Sequence, residues 1–179
     1  MTWTNRPLIV YHGTHAQAAE AIVQPAGNGE HSVDLSLCRA RVDFGRGFYV
    51  TTSLDQAKNW ANVQARGMRR SGARAKRGES AAVVRFRLDR NRLAELRDLV
   101  FMSESQGTGF WDFIHYCRRE AAPLHGTPQP YDIVYGPLTL WPQRLVLKDC
   151  DQIGFHTERA LAVLQSPEIA FRGSPLFEL

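Results

Sequence analysis

Apolar positions along this chain follow two periods, one near two and one near 3.6, and the switches between them mark the elements. Leu8-Ile9-Val10-Tyr11 is a continuous apolar run that predicts a buried strand ending at His12-Gly13. Thr14 and Gln17 have the spacing of a capping box, so a helix is expected next, with Ala18, Ala19, Ile22 and Val23 inward and Pro25 and Gly27 ending it. Residues 26–44 show little periodicity and read as an extended loop. Phe48-Tyr49-Val50-Thr51 predicts a second strand. Ser53 and Gln56 repeat the capping spacing. The helix they start places Ala57, Trp60, Ala61, Ala65 and Met68 on one face.

Farther on, Val84, Phe86 and Leu88 alternate with Val83, Arg85 and Arg87, the pattern of a half-buried strand. Leu93 and Leu96 mark a short helix. Phe110, Phe113, Ile114 and Cys117 give an amphipathic helix over 109–119. His125 to Pro130 reads as a loop, and Tyr131 to Tyr135 as a strand closed by Gly136-Pro137. Leu145-Val146-Leu147 is a separate apolar run. In Gln152 to His156, Ile153 and Phe155 face one way and Gln152 and His156 the other. Thr157 caps a last helix carrying Glu158, Ala160, Leu161 and Leu164, and the tail after Pro167 is expected to pack late or to be mobile. Many short strands, with helices after the first two, predict a single α+β domain over residues 1–179 built on a split, mostly antiparallel sheet with flanking helices.

Composition adds little to this picture and charge adds more. The chain has 179 residues, 44% hydrophobic and 22% charged, enough for a core without covalent staples. No apolar run has membrane-spanning length, and Met1 to Pro7 lacks a secretory pattern. A cytoplasmic location without membrane contact is expected, and secretion or delivery by a signal-less route is compatible with it. Cys38, Cys117 and Cys150 lack metal-ligand spacing and point to reduced thiols. His12 and His15 have no nearby Cys, Asp or Glu to complete a metal site, so no metal is expected. The net charge of +4 is local: removing the six basic residues from Arg66 to Arg77 leaves 16 basic against 18 acidic residues, about −2. That stretch is either a solvated connection, as its glycines and serine suggest, or a patch for nucleic acid or an acidic partner.

Candidate chemistry gathers in two stretches, Tyr11-His12-Gly13-Thr14 and Asp43-Phe44-Gly45-Arg46-Gly47-Phe48-Tyr49. Each sets a polar or aromatic group beside glycines, which let a flat ligand approach the backbone. Together with Gln56-Ala57-Lys58-Asn59-Trp60-Ala61, these stretches resemble the ADP-ribosyltransferase superfamily. In its poly(ADP-ribose) polymerase-like branch a His-Gly-Ser/Thr turn is followed by Gly-Lys-Gly-Ile-Tyr-Phe, a helix with a further aromatic, and a Glu starting a late strand. Gln152-Ile153-Gly154-Phe155-His156-Thr157 corresponds to that last motif, with Gln152 where the branch has Glu. A bacterial branch with Asp-Phe-Gly-Lys-Gly-Phe-Tyr and Gln-x-x-Phe-His-Thr is closer still, and such branches include toxins and effectors.

The resemblance implies the superfamily's split-sheet fold and cleavage of the nicotinamide–ribose bond of NAD, with NAD as substrate and nicotinamide released. By that pattern His12, Tyr49 and Gln152 are the catalytic set. His12 orients a ribose hydroxyl, or alternatively braces its turn. Gly13 offers its backbone to the carboxamide, and Thr14 and Gly47 complete the ligand-binding stretches. Tyr49 stacks on the ring, and Trp60 is either the second stacking aromatic or core packing. Gln152 keeps the shape of Glu and one acceptor oxygen but no charge. His156 and Glu158 are auxiliary candidates, each with a structural alternative. The implied activity is mono-ADP-ribosylation of a protein or nucleic acid, with an antitoxin or immunity protein as a further partner. The alternatives are an NAD glycohydrolase and a non-catalytic NAD- or ADP-ribose-binding module. In the last case Gln152→Glu is expected to restore turnover.

Overall fold

The computed structural model describes residues 6–25, 31–70, 80–102, 108–119 and 131–173, apart from the side chains of 67–70 and 108. In chain order the elements are β1 (Leu8–His15), α1 (Ala16–Ile22), β2 (Phe48–Val50), α2 (Leu54–Arg70), β3 (Ala81–Leu88), α3 (Arg90–Leu93), β4 (Asp98–Val100), α4 (Thr108–Arg119), β5 (Ile133–Leu140), β6 (Leu145–Phe155), α5 (Glu158–Leu161) and β7 (Leu164–Arg172). A 3₁₀ turn, Leu35–Leu37, precedes β2. The strands form two sheets, ordered β1-β3-β7 and β2-β6-β5-β4. Both neighbours of β3 are antiparallel to it, β5 and β6 are antiparallel, and β4 and β5 are parallel. The architecture is α+β, with mixed sheets and flanking helices. Contacts divide the chain into two compact units, Met1–Ser32 with Val50–Asp89 and Leu164–Leu179, and Val33–Tyr49 with Arg90–Val163.

In the first unit β1 runs four residues past Tyr11, because β3 offers Val84, Val83, Ala82 and Ala81 as partners to His12, Gly13, Thr14 and His15. Thr14 is therefore a buried strand residue, and the expected capping box is not formed. The cap of α1 is His15, whose Nδ1 accepts from the Ala18 amide at 3.4 Å. At α2 the first half of the predicted box is present: the Ser53 hydroxyl accepts from the Gln56 amide at 3.2 Å. The Gln56 side chain, however, pairs with the Thr51 hydroxyl instead of reaching back.

Ala57, Ala61 and Ala65 form a buried stripe against Ala81 and Val83, with Tyr11, Leu54 and Phe171 alongside. Trp60 is not in that stripe; it is 48% exposed. Val83 is fully buried, not solvent-facing as its alternation suggested, because α2 covers that face of β3. Helix α2 continues to Arg70, so Arg66, Arg69 and Arg70 of the basic stretch are helical, and residues 71–77 lie outside the described residues.

In the second unit Phe44, Phe110, Trp111, Ile114 and Val134 make the core, with Tyr49, Phe101 and Phe113 packed on it. The sequence missed three continuities. β5 passes through Gly136-Pro137 to Leu140, with irregular pairing to β6 between Pro137 and Thr139, where proline cannot donate to the ladder. Leu145 to Phe155 is one strand, not two, and contains Asp149 at φ 56°. α5 ends at Leu161, so Leu164 belongs not to a helix but to β7. The stretch beyond Pro167 is strand as far as Arg172. Sheet order places β7 at an edge, where a strand proline is tolerated. The expected loop over His125–Pro130 lies outside the described residues. No described helix is long and apolar enough to cross a membrane.

Candidate functional site

The residues singled out from the sequence fall in both units. His12, Gly13, Thr14 and Trp60 belong to the first; Gly47, Tyr49, Gln152, His156 and Glu158 belong to the second.

In the first unit, β1 decides what Gly13 can offer. Successive residues of an antiparallel strand turn their N–H and C=O to opposite edges. Tyr11 exchanges both backbone hydrogen bonds with Thr51, at 2.8 and 2.9 Å, on the side away from β3. Gly13, two residues on, turns its amide and carbonyl to that same side. The face toward α2 is closely constrained as well. A Cβ at Gly13 would lie 2.1 Å from the Ala57 carbonyl oxygen and 3.0 Å from the Ala61 nitrogen. The alanine stripe brings the α2 backbone this close, and only glycine fits beneath it. His12 is half-buried and pairs with Val84. Thr14 is buried opposite Ala82.

In the second unit, Tyr49 is a fixed ring. Its hydroxyl donates to the Gly45 carbonyl at 2.7 Å and accepts from the Phe44 amide at 3.1 Å. Burial of that hydroxyl pushes its pKa well above the ordinary tyrosine value, so it stays neutral. The ring stacks on Phe44, and His156 meets it edge-on with centroids 6.1 Å apart. His156 Nδ1 lies 2.8 Å from the Arg46 carbonyl; a carbonyl only accepts, so in this contact Nδ1 carries the proton. The imidazole occupies the space glycines leave: a Cβ at Gly47 would lie 2.6 Å from Nδ1, and one at Gly154 2.7 Å from Nε2. The Arg46 side chain ties the preceding loop, donating to the Ser36 and Cys38 carbonyls at 2.9 and 2.7 Å. Glu158 is exposed in the first turn of α5, where a carboxylate favours the helix start.

Gln152 is buried at 7% exposure in a network the sequence did not disclose. Its Nε2 donates to Asp43 Oδ2 at 2.7 Å and to the Pro137 carbonyl at 3.1 Å. Asp43 also accepts from the Thr139 hydroxyl on Oδ2, at 2.7 Å. Its Oδ1 takes Arg118 Nε at 2.8 Å and Nη2 at 2.5 Å. Asp43 is only 3% exposed. Burial, with the Asp43 charge second, pushes the neighbouring Cys117 thiol up to about 12, which removes it as a nucleophile at neutral pH. Nothing in the sequence spacing connects Asp43, Arg118, Thr139 and Gln152. The only signal was an acidic residue set directly before the buried Phe44. A second polar node joins Asp132 to the Arg97 amide at 3.0 Å and the Thr157 hydroxyl at 2.7 Å. Among the described residues no group of three or more His, Cys, Asp or Glu is arranged to hold a metal.

A family model described as "Protein of unknown function (DUF3990)" matches residues 8–140. The chain belongs to this family. No curated protein and no solved structure matches it. The DUF3990 segment takes in His12, Gly13, Asp43, Tyr49, Trp60, Arg118 and Thr139, whereas Gln152, His156 and Glu158 lie beyond its end.

Proposed function

We propose that the protein is an NAD-dependent mono-ADP-ribosyltransferase with the superfamily's split-sheet fold, acting as a bacterial toxin or effector on a protein or nucleic acid. In the reaction the bond from the nicotinamide nitrogen to the ribose breaks, nicotinamide leaves with the electron pair, and a nucleophile of the target bonds to the same sugar carbon and loses its proton. The observation that carries the reading is Gly13. Its amide and carbonyl are turned away from β3, on the side where Tyr11 pairs with Thr51, and match the acceptor and donor of a carboxamide.

Other residues support the same reading. Tyr49 is held at its hydroxyl and needs no ordering to serve as a stacking platform. Trp60 keeps nearly half its surface open, as a second ring contact requires and a core residue does not. Gln152 gives its amide protons to Asp43 and Pro137, which leaves Oε1 as the acceptor for a ribose hydroxyl. A neutral hydrogen bond of this kind contributes about 1 kcal/mol against roughly 1.5–3 kcal/mol for a charged one. A slower enzyme than its Glu-bearing relatives is the expected consequence. Arg66 and the basic residues after it supply a contact for nucleic acid or an acidic partner.

Incubation with NAD and cell lysates tests the proposal. Release of nicotinamide together with a target gaining one ADP-ribose mass is the expected result. Release without a modified target would select the glycohydrolase. NAD binding without release would select the non-catalytic module, which the neutral Gln152 side chain favours as the second reading. Neither binding nor release would end the NAD assignment.

A further inference from the structure

The Asp43 network shows why position 152 carries an amide. Both groups facing Gln152 Nε2, the Asp43 carboxylate oxygen at 2.7 Å and the Pro137 carbonyl at 3.1 Å, can only accept. The side-chain atom between them must therefore bring two protons. Flipping the amide would set Oε1 against two oxygens, and an ionised carboxylate at 152 would do the same with a full charge. Asp43 is held in turn: Arg118 grips Oδ1 with two N–H groups, and Thr139 donates to Oδ2 beside Gln152. With Asp43 3% exposed, water does not compete for these contacts.

We propose that Asp43 is a positioning residue which, through Arg118 and Thr139, locks the Gln152 amide nitrogen inward and commits position 152 to presenting a neutral acceptor oxygen. This rests on the functional reading above, in which that oxygen receives a ribose hydroxyl. Gln152 is then a requirement of its surroundings and not a degraded Glu. The simple expectation that Gln152→Glu restores turnover changes accordingly: alone, the substituted carboxyl faces Asp43 and must hold a proton to fit. Combining Asp43→Asn with Gln152→Glu exchanges the pair and removes the carboxylate–carboxylate clash, since the asparagine amide can donate to the charged glutamate, while the Pro137 carbonyl is left facing it.

Three variants and one measurement on the unaltered protein separate the outcomes. Gln152→Glu should lose stability as pH rises from about 5 to 8. A carboxyl whose folded-state pKa is raised stabilises fully only below its unfolded value and loses that contribution on the way up to the folded one. The exchanged pair should show a markedly smaller slope. Asp43→Asn, which frees the amide to flip, should lower kcat for nicotinamide release about tenfold with KM for NAD within about twofold, because an acceptor used in the transition state is lost and ground-state binding is not. The exchanged pair should regain most of that loss. In the unaltered protein, the Gln152 side-chain amide protons should exchange slowly with water by NMR.

An Asp43→Asn protein that folds and keeps its kcat would overturn the positioning role and leave the functional reading standing. If the pH slope and slow exchange are present but the unaltered protein releases no nicotinamide, the functional reading fails and the positioning role falls with it, while the network stays as structure. Fast amide exchange would overturn the proposal even if every Asp43 variant failed to fold.

Discussion

Gly13 and Gln152 are both fixed in place, but by opposite means. Around Gly13 the first unit works with backbone and volume: a strand ladder sets which way the amide and carbonyl turn, and an alanine-lined helix leaves room for nothing but hydrogen. Around Gln152 the second unit works with side-chain donors and acceptors, gathered on one buried carboxylate. The first kind of restraint is blind to pH and to charge. The second depends on a count of protons. A substitution in the first unit should therefore be punished by shape, and one in the second by hydrogen-bond inventory.

Gly13→Ala should show the largest effect. The new methyl would meet the Ala57 carbonyl at 2.1 Å, and main chain cannot rotate aside as a side chain can. Overpacking of a rigid site costs about 1–3 kcal/mol and occasionally more, and the upper end is expected here. A urea titration measures it, and the loss should be equal at pH 5 and pH 8. A midpoint unchanged from the parent would mean that α2 does not press on β1.

Asp132→Asn should cost less, about 1–2 kcal/mol, and should carry the pH signature that Gly13→Ala lacks. Burial alone would raise the Asp132 carboxyl, but the Arg97 amide, the Thr157 hydroxyl and the Arg159 and Arg97 guanidinium groups outweigh it, and the pKa is lowered. A lowered folded-state pKa gives stability that is present above the unfolded value near 3.9 and is lost as pH falls through the folded one. Thermal melts taken from neutral to acid pH should show a shallower acid limb in the variant. Parallel acid limbs in the two proteins would remove Asp132 from this role.

Gly109→Ala sharpens the contrast with Gly13 by reversing the sign. Gly109 is exposed in α4, and an added Cβ would meet no atom within 4 Å. Replacing a helical glycine under those conditions should stabilise by about 0.5 kcal/mol. A loss of stability in both glycine variants would show that the penalty at Gly13 is not steric.

The same division explains what could be read from the sequence. Local patterns announced β2, the alanine stripe of α2 and the apolar face of α4, because each rests on spacing within one segment. The end of β1 was not legible, since His12 to His15 become strand only when β3 supplies partners some seventy residues later. β6 was broken in two by the polar stretch around Asp149, which the strand accommodates with a positive φ. β7 was hidden by Pro167, which its edge position and the irregular pairing there tolerate. Asp43 stood in plain view within a recognised stretch, but its partners are 75, 96 and 109 residues away. Backbone-built features thus showed in part, and the side-chain network did not show at all.

Trp60→Ala should have the smallest effect on stability and is the test that reaches function. At 48% exposure the ring contributes little to the core, and a change within about 0.5 kcal/mol is expected. Its periodic position beside Ala57 and Ala61 made core packing a fair alternative from sequence, yet the alanines take the buried face and the indole does not. If Trp60 stacks on the ligand, its removal should weaken NAD binding about twofold to thirteenfold, as the loss of one aromatic contact of about 0.5–1.5 kcal/mol implies. Calorimetry with NAD reads that directly. Equal affinity in the variant would take Trp60 out of the ligand site and leave Tyr49, fixed by its own hydroxyl, as the ring on which the proposal stands.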